Sequence, residues 1–410
     1  EHIDHPDDRL RRKLLRAIAR LHTNLGRPDV VPWSRMRTRI VDELKYTFQT
    51  LQDREIIRTA FPGWLMEDTF AHDLFRSKDR LWSLLALSHD PGVIGPCRRS
   101  LEMGNPSQRS NALEVLDNTL EEPLKTPFLA LLESRSPRET VAAGRRQFQL
   151  ATVVPQTWLL QNLKGGAGWH RAVALDCIGL HRVRALTEHV KEAMKDPVML
   201  VRETALWAAV RLMGTGATDL LREAGGDSEP MANRLTRWLR DLVLDPDSAD
   251  KSTGGRALLT TLEEVVFMRH IPIFQGVAAE HLAALAELTE EVFAGPGQEI
   301  VQQGDPGDSM FLIVSGQVEV LVDGKRVGLL GPRECFGEMA LIDGETRSAT
   351  VKALESTDLL TLGHDEFHEF LEERSEVASN VLRILCQRIR LLNQQLVSPG
   401  AAAPAGGQAR

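Results

Sequence analysis

The stretch FGEMALIDGETRSATV, residues 336–351, sets a Gly-Glu pair before a short apolar run and places Arg347 nine residues after Glu338. Each residue type suits a small anionic ligand. Gly337 lets backbone approach a ligand closely. A helical turn beginning over 337–341, through Glu338, Met339 and Ala340, would aim its free N–H groups outward as an anion site. Arg347 adds a planar, permanently charged fork suited to phosphate, and Ser348 adds a hydroxyl. Glu338, when ionised, only accepts hydrogen bonds, so its natural partner is a pair of ligand hydroxyls. A carboxylate beside an anion site repels a bare phosphate. The combination therefore points to a molecule with both a phosphate and a free sugar hydroxyl.

The elements around this stretch read as a small β structure. From 258 a helix, LLTTLEEVVFMRH, leads to IPIF and a second helix, AAEHLAALAELT. The period then switches to two, with Val318, Val320 and Val322 alternating with Glu319 and Leu321. Gly-rich turns fall at 295–297, 304–308, 323–324 and 331. Many short strands at regular spacing predict a β-barrel or jelly roll. Helical HDEFHEFLEE and the longer EVASNVLRILCQRIRLLNQQL close the segment.

Upstream, residues 7 to about 245 read as helix after helix, with apolar residues recurring every three or four positions. Leu14, Leu15, Ile18 and Leu21 carry the pattern first, then Leu113, Val115, Leu116 and Leu120, then Val201, Ala205, Leu206, Ala209 and Leu212. Breakers separate the helices at 89–92, 104–107, 135–138, 164–168 and 195–197. All seven tryptophans lie in this half and read as core. The stretches 214–230 and 244–257 read as hinge or linker, with the amphipathic helix MANRLTRWLRDLVL between them.

Bulk properties exclude several classes. The 410 residues carry a net charge of −8, which speaks against general nucleic-acid or acidic-membrane binding. Cys97, Cys177, Cys335 and Cys386 are scattered, make no CxxC pair, and read as reduced thiols with no structural zinc. No apolar run approaches the roughly 20 residues of a membrane span. The first residue is not Met and the opening segment already reads as helix, so the chain is expected to be the C-terminal part of something longer. His364 and His368 lie one helical turn apart, but Asp365 stands where a zinc-hydrolase motif needs Glu. GGAG at 165–168 lacks the following Lys-Ser/Thr of a phosphate loop. Catalytic residues, cofactor and metal are accordingly expected to be none, and the chain is not expected to be an enzyme.

Two resemblances follow from these motifs. Residues 272–397, through GDPGDSMFLIVSGQVEV, FGEMALIDGETRSATV and the closing helix, resemble the cyclic nucleotide-binding domain of bacterial catabolite activator proteins and of cAMP-dependent kinase regulatory subunits. The resemblance implies that Glu338 accepts the ribose 2′-hydroxyl and that Arg347 pairs with the cyclic phosphate. Ser348 and the amides near Met339 and Ala340 complete the cage, and Leu385, Ile389 and Leu392 lid the base. Thr346 stands where bacterial members often have Pro. The ligand implied is cAMP, favoured over cGMP, although the apolar lid reads neither base edge. The segments GNPSQRSNALEVL, GGAGWHRAVALDCIGL and KDPVMLVRETALWAAV resemble HEAT-like α-solenoid repeats, in which stacked helix pairs share one core.

The expected architecture is multidomain, α and α+β. An N-terminal HEAT-like α-solenoid covers 1–245 and a linker 246–257. A β-jelly-roll cyclic nucleotide-binding domain with its leading and flanking helices covers 258–398, and a disordered tail 399–410. The expected function is that of a cytoplasmic messenger sensor coupling the barrel to the helical scaffold. The order of domains is similar to the cytosolic region of some bacterial transporter-like proteins, which would tether the chain to the inner membrane face through an upstream membrane domain. Expected partners are a cyclic mononucleotide and a protein bound by the helical repeats, with a homodimer through the last helix. No nucleic acid is expected, because a catabolite-activator regulator continues from that helix into a winged helix-turn-helix. The alternative is a protein-interaction scaffold whose barrel is structural only.

Overall fold

The computed structural model describes residues 33–133, 136–220, 259–339 and 344–373, with single positions 14, 17, 378, 382, 386 and 390. The chain divides into two compact units, Glu1–Gly166 and Ala167–Arg410.

The first unit is helical: α1 (Trp33–Ala60), α2 (Trp64–Ser88), α3 (Pro91–Met103), α4 (Pro106–Thr119), α5 (Lys125–Leu132), α6 (Pro137–Gln147) and α7 (Pro155–Gly165). Three of the breakers read from the sequence are helix starts with a capping device. Asp90 accepts the Gly92 N–H at 2.8 Å, with Pro91 opening α3. Asn105 with Gln108, and Ser136 with Glu139, form reciprocal capping boxes that satisfy otherwise orphaned N–H groups. Apolar side chains spaced along the helices close one core that includes Ile40, Leu44, Phe48, Leu85, Leu116 and Phe128. Trp82 meets Phe128 edge-on within it, at a centroid separation of 5.0 Å. Val115 departs from the expected buried face. It is 42% exposed, one position off the stripe that carries Ala112, Leu116 and Leu120 inward.

The second unit opens with α8 (Gly168–Leu180), α9 (Thr187–Ala193) and α10 (Met199–Met213). The five apolar positions read on α10 are all buried: Val201, Ala205, Leu206, Ala209 and Leu212. α8 and α10 approach backbone to backbone, since a Cβ on Gly179 would lie 2.8 Å from the Ala208 Cα. The stretch expected to be a hinge from 214 begins instead with a 3₁₀ turn, Gly214–Ala217. Ala217 is fully buried against Leu206, and that apolar contact outweighs the Gly-rich local composition. Leu15, Ile18, Leu21, the MANRLTRWLRDLVL helix, the linker at 246–257 and the tail at 399–410 lie outside the described residues.

The barrel is led by α11 (Thr261–Met268), a 3₁₀ turn at Pro272–Phe274 and α12 (Ala279–Ala286). Eight strands follow: β1 (Glu290–Ala294), β2 (Glu299–Val301), β3 (Ser309–Ser315), β4 (Val318–Val322), β5 (Lys325–Leu330), β6 (Cys335–Phe336), β7 (Thr350–Ala353) and β8 (Thr357–Gly363). They form two four-stranded antiparallel sheets, ordered β1-β8-β3-β6 and β2-β7-β4-β5. Phe311, Ile313, Val318, Phe336, Val351 and Leu359 point between the sheets. The alternation on β4 is weaker than its sequence suggests, because the pairing with β5 shifts register between Val320 and Leu321 and leaves Leu321 half-buried. Helix α13 (His364–Glu373) closes the described part of the barrel, with Phe367 and Phe370 buried. Among the described residues no helix is long and apolar enough to cross a membrane.

Candidate functional site

The register of β3 on β6 pairs Phe311 with Phe336, so Ser309 and Met310 run beside the Gly337 turn. Gly337 has φ +83°, a left-handed conformation that side-chain-bearing residues avoid. A Cβ there would also stand 2.9 Å from the Ser309 carbonyl oxygen. Helical geometry begins at the next two residues, Glu338 and Met339. Glu338 is half-buried and Met339 is 59% exposed. Ala340 lies outside the described residues, as do Leu385, Ile389 and Leu392 of the expected lid.

Arg347 is set from the opposite side. Its backbone N–H donates to the Asp305 carbonyl at 2.8 Å, and its own carbonyl accepts the Gly304 N–H at 2.8 Å. Thr346 bridges Pro306 in the same ladder. The side chain turns inward and is 6% exposed. Nη1 donates to the carbonyls of Ser309, at 2.5 Å, and Gly337, at 3.4 Å. Nη2 donates to the Ser309 hydroxyl at 3.0 Å. The guanidinium carbon also lies 5.9 Å from the Phe311 ring centroid, within cation–π range. Ser348, next in sequence, is exposed.

The electrostatics of this arrangement are unbalanced. Arg347 is a permanent cation, yet its close partners are neutral oxygens. The carboxylate of Asp308 stands 3.9 Å away and is itself 91% exposed. Burial pushes the Arg347 pKa down, and Asp308 only partly offsets this. A buried charge with neutral partners keeps much of its desolvation cost. An anion brought beside the guanidinium would recover part of it.

A cleft of about 550 Å³ opens nearby, lined in part by Glu290, Asp308, Ser309, His364, Asp365 and Glu366. Its four carboxylates make it unsuited to a phosphate, so the anion-binding reading belongs to the Gly337 turn. The structure thus brings Gly337 and Arg347 together and places Glu338 and Ser348 next to them in sequence. It adds Ser309, Asp308 and Phe311, which the sequence reading did not single out. The signal for them was the GDPGDSMF run before an apolar strand, where a polar Ser precedes the first inward-facing aromatic. Among the described residues no group of three or more His, Cys, Asp or Glu is placed to hold a metal ion.

Comparison with known proteins falls on this same segment. Residues 291–374 match the sequence model of the family described as cyclic nucleotide-binding domain. Residues 291–374 form a cyclic nucleotide-binding domain. The chain is 29% identical over 129 residues to a CRP-like cAMP-activated global transcriptional regulator of Mycobacterium tuberculosis, covering 30% of this chain and 58% of that one. It is 33% identical over 134 residues to the cyclic AMP receptor protein of Thermus thermophilus, covering 32% and 62%. The chain thus spans less than two thirds of the length of these relatives. The solved N-terminal domain of a transcriptional regulator from Streptomyces coelicolor is 34% identical, with a TM-score of 0.30, covering 31% of this chain and 95% of that one. All three likenesses cover about a third of the chain or less.

Proposed function

We propose that the chain is a cyclic nucleotide sensor, with cAMP favoured over cGMP, whose barrel is coupled to a helical-repeat scaffold. The observation that carries this is the buried Arg347 guanidinium held on neutral oxygens beneath the Gly337 turn. A cyclic phosphate would supply the missing anion. Backbone N–H groups at Glu338, Met339 and Ala340 would share it with Ser348, while Glu338 would accept from the ribose 2′-hydroxyl. Leu385, Ile389 and Leu392 would cover the base. Relatives named as cAMP-responsive support the same ligand class. The helices of residues 1–245 would serve as HEAT-like repeats offering a surface to a protein partner or to an upstream membrane domain, in a cytoplasmic setting and without nucleic acid. A homodimer through the helix beyond α13 belongs to the same reading.

Calorimetric titration of the full chain with cAMP and cGMP tests the proposal. Saturable one-to-one binding, tighter for cAMP, is expected. Equal or tighter cGMP binding overturns the preference. Absence of binding by either, from protein shown to be folded, overturns the sensor reading.

A second reading has one observation of its own. Arg347 already ties Ser309 to Gly337, so it has a structural task that needs no ligand. In that reading the barrel is a structural part of an interaction scaffold, and the same titration returns no heat.

A further inference from the structure

The second feature that chemistry alone does not explain lies away from the Gly337 turn. Helix α10 buries an apolar face, yet Glu203 on it is only 5% exposed. Its carboxylate accepts the Thr261 hydroxyl at 2.7 Å and the Thr261 backbone N–H at 3.3 Å. Thr261 is the first residue of α11, whose N-cap Thr260 is closed by a reciprocal box with Glu263. Glu203 thus reaches from the α8–α10 layer to the N-terminus of the helix that leads into the barrel, where the helix dipole favours a negative charge.

One turn along α11, Glu264 is also buried, at 8% exposure. It meets the hydroxyl of Thr289, the residue before β1, at 3.1 Å. That hydroxyl also lies 2.9 Å from the Ala286 carbonyl at the end of α12. A hydroxyl has one proton to donate. If Thr289 donates to Ala286, the contact with Glu264 is a hydrogen bond only when Glu264 is the donor, that is, protonated. If Glu264 is ionised, Thr289 must turn its proton to the carboxylate and release Ala286. The two protonation states therefore select different bonding patterns around α11, α12 and β1.

The surroundings favour the neutral form. The Thr289 hydroxyl, where it donates to Glu264, favours the ionised form, while Glu203 from α10, Glu291 from β1 and Glu263 from its own helix, all carboxylates, disfavour it. Glu203 in turn faces Glu287, just after α12, and is eased by Arg202 of α10. Burial pushes Glu264 up to about 8 against the Thr289 hydrogen bond, the like charges adding to the rise, and burial raises Glu203 as well.

We propose that Glu264 is a proton-sensitive fastener. When neutral, it locks α11 between the α8–α10 layer and the first strand of the barrel; when ionised, it loosens that joint. On ionisation the carboxyl O–H breaks and the proton leaves to solvent. Two carboxylates one turn apart on the same buried seam then repel each other, and the hold of Glu203 on the N-terminus of α11 weakens. The device needs no nucleotide, so it stands or falls independently of the sensor reading.

Hydrogen exchange followed by mass spectrometry on the full chain, from about pH 6 to about pH 9 and corrected for intrinsic exchange rates, is the test. In the wild type, protection of Thr261–Met268 is expected to fall by about tenfold across that range, most steeply near the Glu264 transition. Glu264→Gln is expected to hold its protection at the alkaline end. Peptides from Ser309–Ser315 should respond alike in both proteins. An equal fall in wild type and variant, or none in the wild type, overturns the proposal. Should Glu264→Gln fail to fold, infrared difference spectra of the wild type decide instead. A protonated buried carboxyl must disappear between the same two pH values, and its absence at the lower one overturns the proposal.

Discussion

A Cβ at position 337 would stand 2.5 Å from Nη1 of Arg347. The glycine and the arginine, ten positions apart, therefore constrain each other. The guanidinium occupies the space that any side chain at 337 would need, and the left-handed backbone at 337 delivers the carbonyl that the guanidinium meets. Gly337→Ala is expected to strain the turn by about 2 kcal/mol and displace Arg347. The expected result is a lower unfolding midpoint together with at least about a tenfold loss of cAMP affinity, read by chemical denaturation and calorimetry.

Ser309 supplies both a carbonyl and a hydroxyl to Arg347. Ser309→Ala keeps the first and removes the second. A hydrogen bond to a charged group contributes roughly 1.5–3 kcal/mol, so affinity should fall at least about tenfold while the barrel stays folded. Calorimetry with a thermal-melt control checks this, and an unchanged affinity would mean that the carbonyls alone aim the guanidinium.

Glu338 has a job only if the ligand has a free 2′-hydroxyl. The wild type should bind 2′-deoxy-cAMP more weakly than cAMP, and Glu338→Ala should bind the two about equally. This double comparison isolates the carboxylate–hydroxyl contact. A deoxy penalty that survives in the variant would place the ribose elsewhere.

The pH dependence of stability follows from Glu264. Its ordinary value of 4.5 is raised to about 8 in the fold, chiefly by burial. A group raised in this way contributes stability that is fully present below about 4.5 and is lost as pH rises through 8. Urea midpoints of the wild type should therefore fall between about pH 6 and pH 9, and Glu264→Gln should flatten that fall. Near pH 8 the variant should be the more stable, by on the order of 2 kcal/mol.

Much of the barrel was legible because its signals are local. Glycine-rich turns announced Gly297, Gly304 and Gly324, all at positive φ, and the capping pairs Asn105–Gln108 and Ser136–Glu139 sat at the expected breakers. The site was half legible. Gly337 and Arg347 carry chemistry in their residue types, whereas Ser309 acts through a hydroxyl and a backbone carbonyl that only sheet register brings into place. The Glu203–Thr261 contact was invisible for a related reason. Its partners are 58 residues apart, and a glutamate on an apolar helix face reads as an imperfection until the residue opposite it is known. The ordered Gly214–Ala217 turn failed the reading because a tertiary contact at Ala217 overrode a flexible composition.

The most direct test of the central claim is the ratio of cAMP dissociation constants for Arg347→Gln and wild type, measured by calorimetry on full chains with matched thermal melts. A loss of about 100-fold or more with little change in melting temperature is predicted, as expected when a charge-assisted phosphate contact is removed. Equal affinity in the two proteins, or binding by neither, would contradict the account and leave Arg347 as a brace between Ser309 and Gly337.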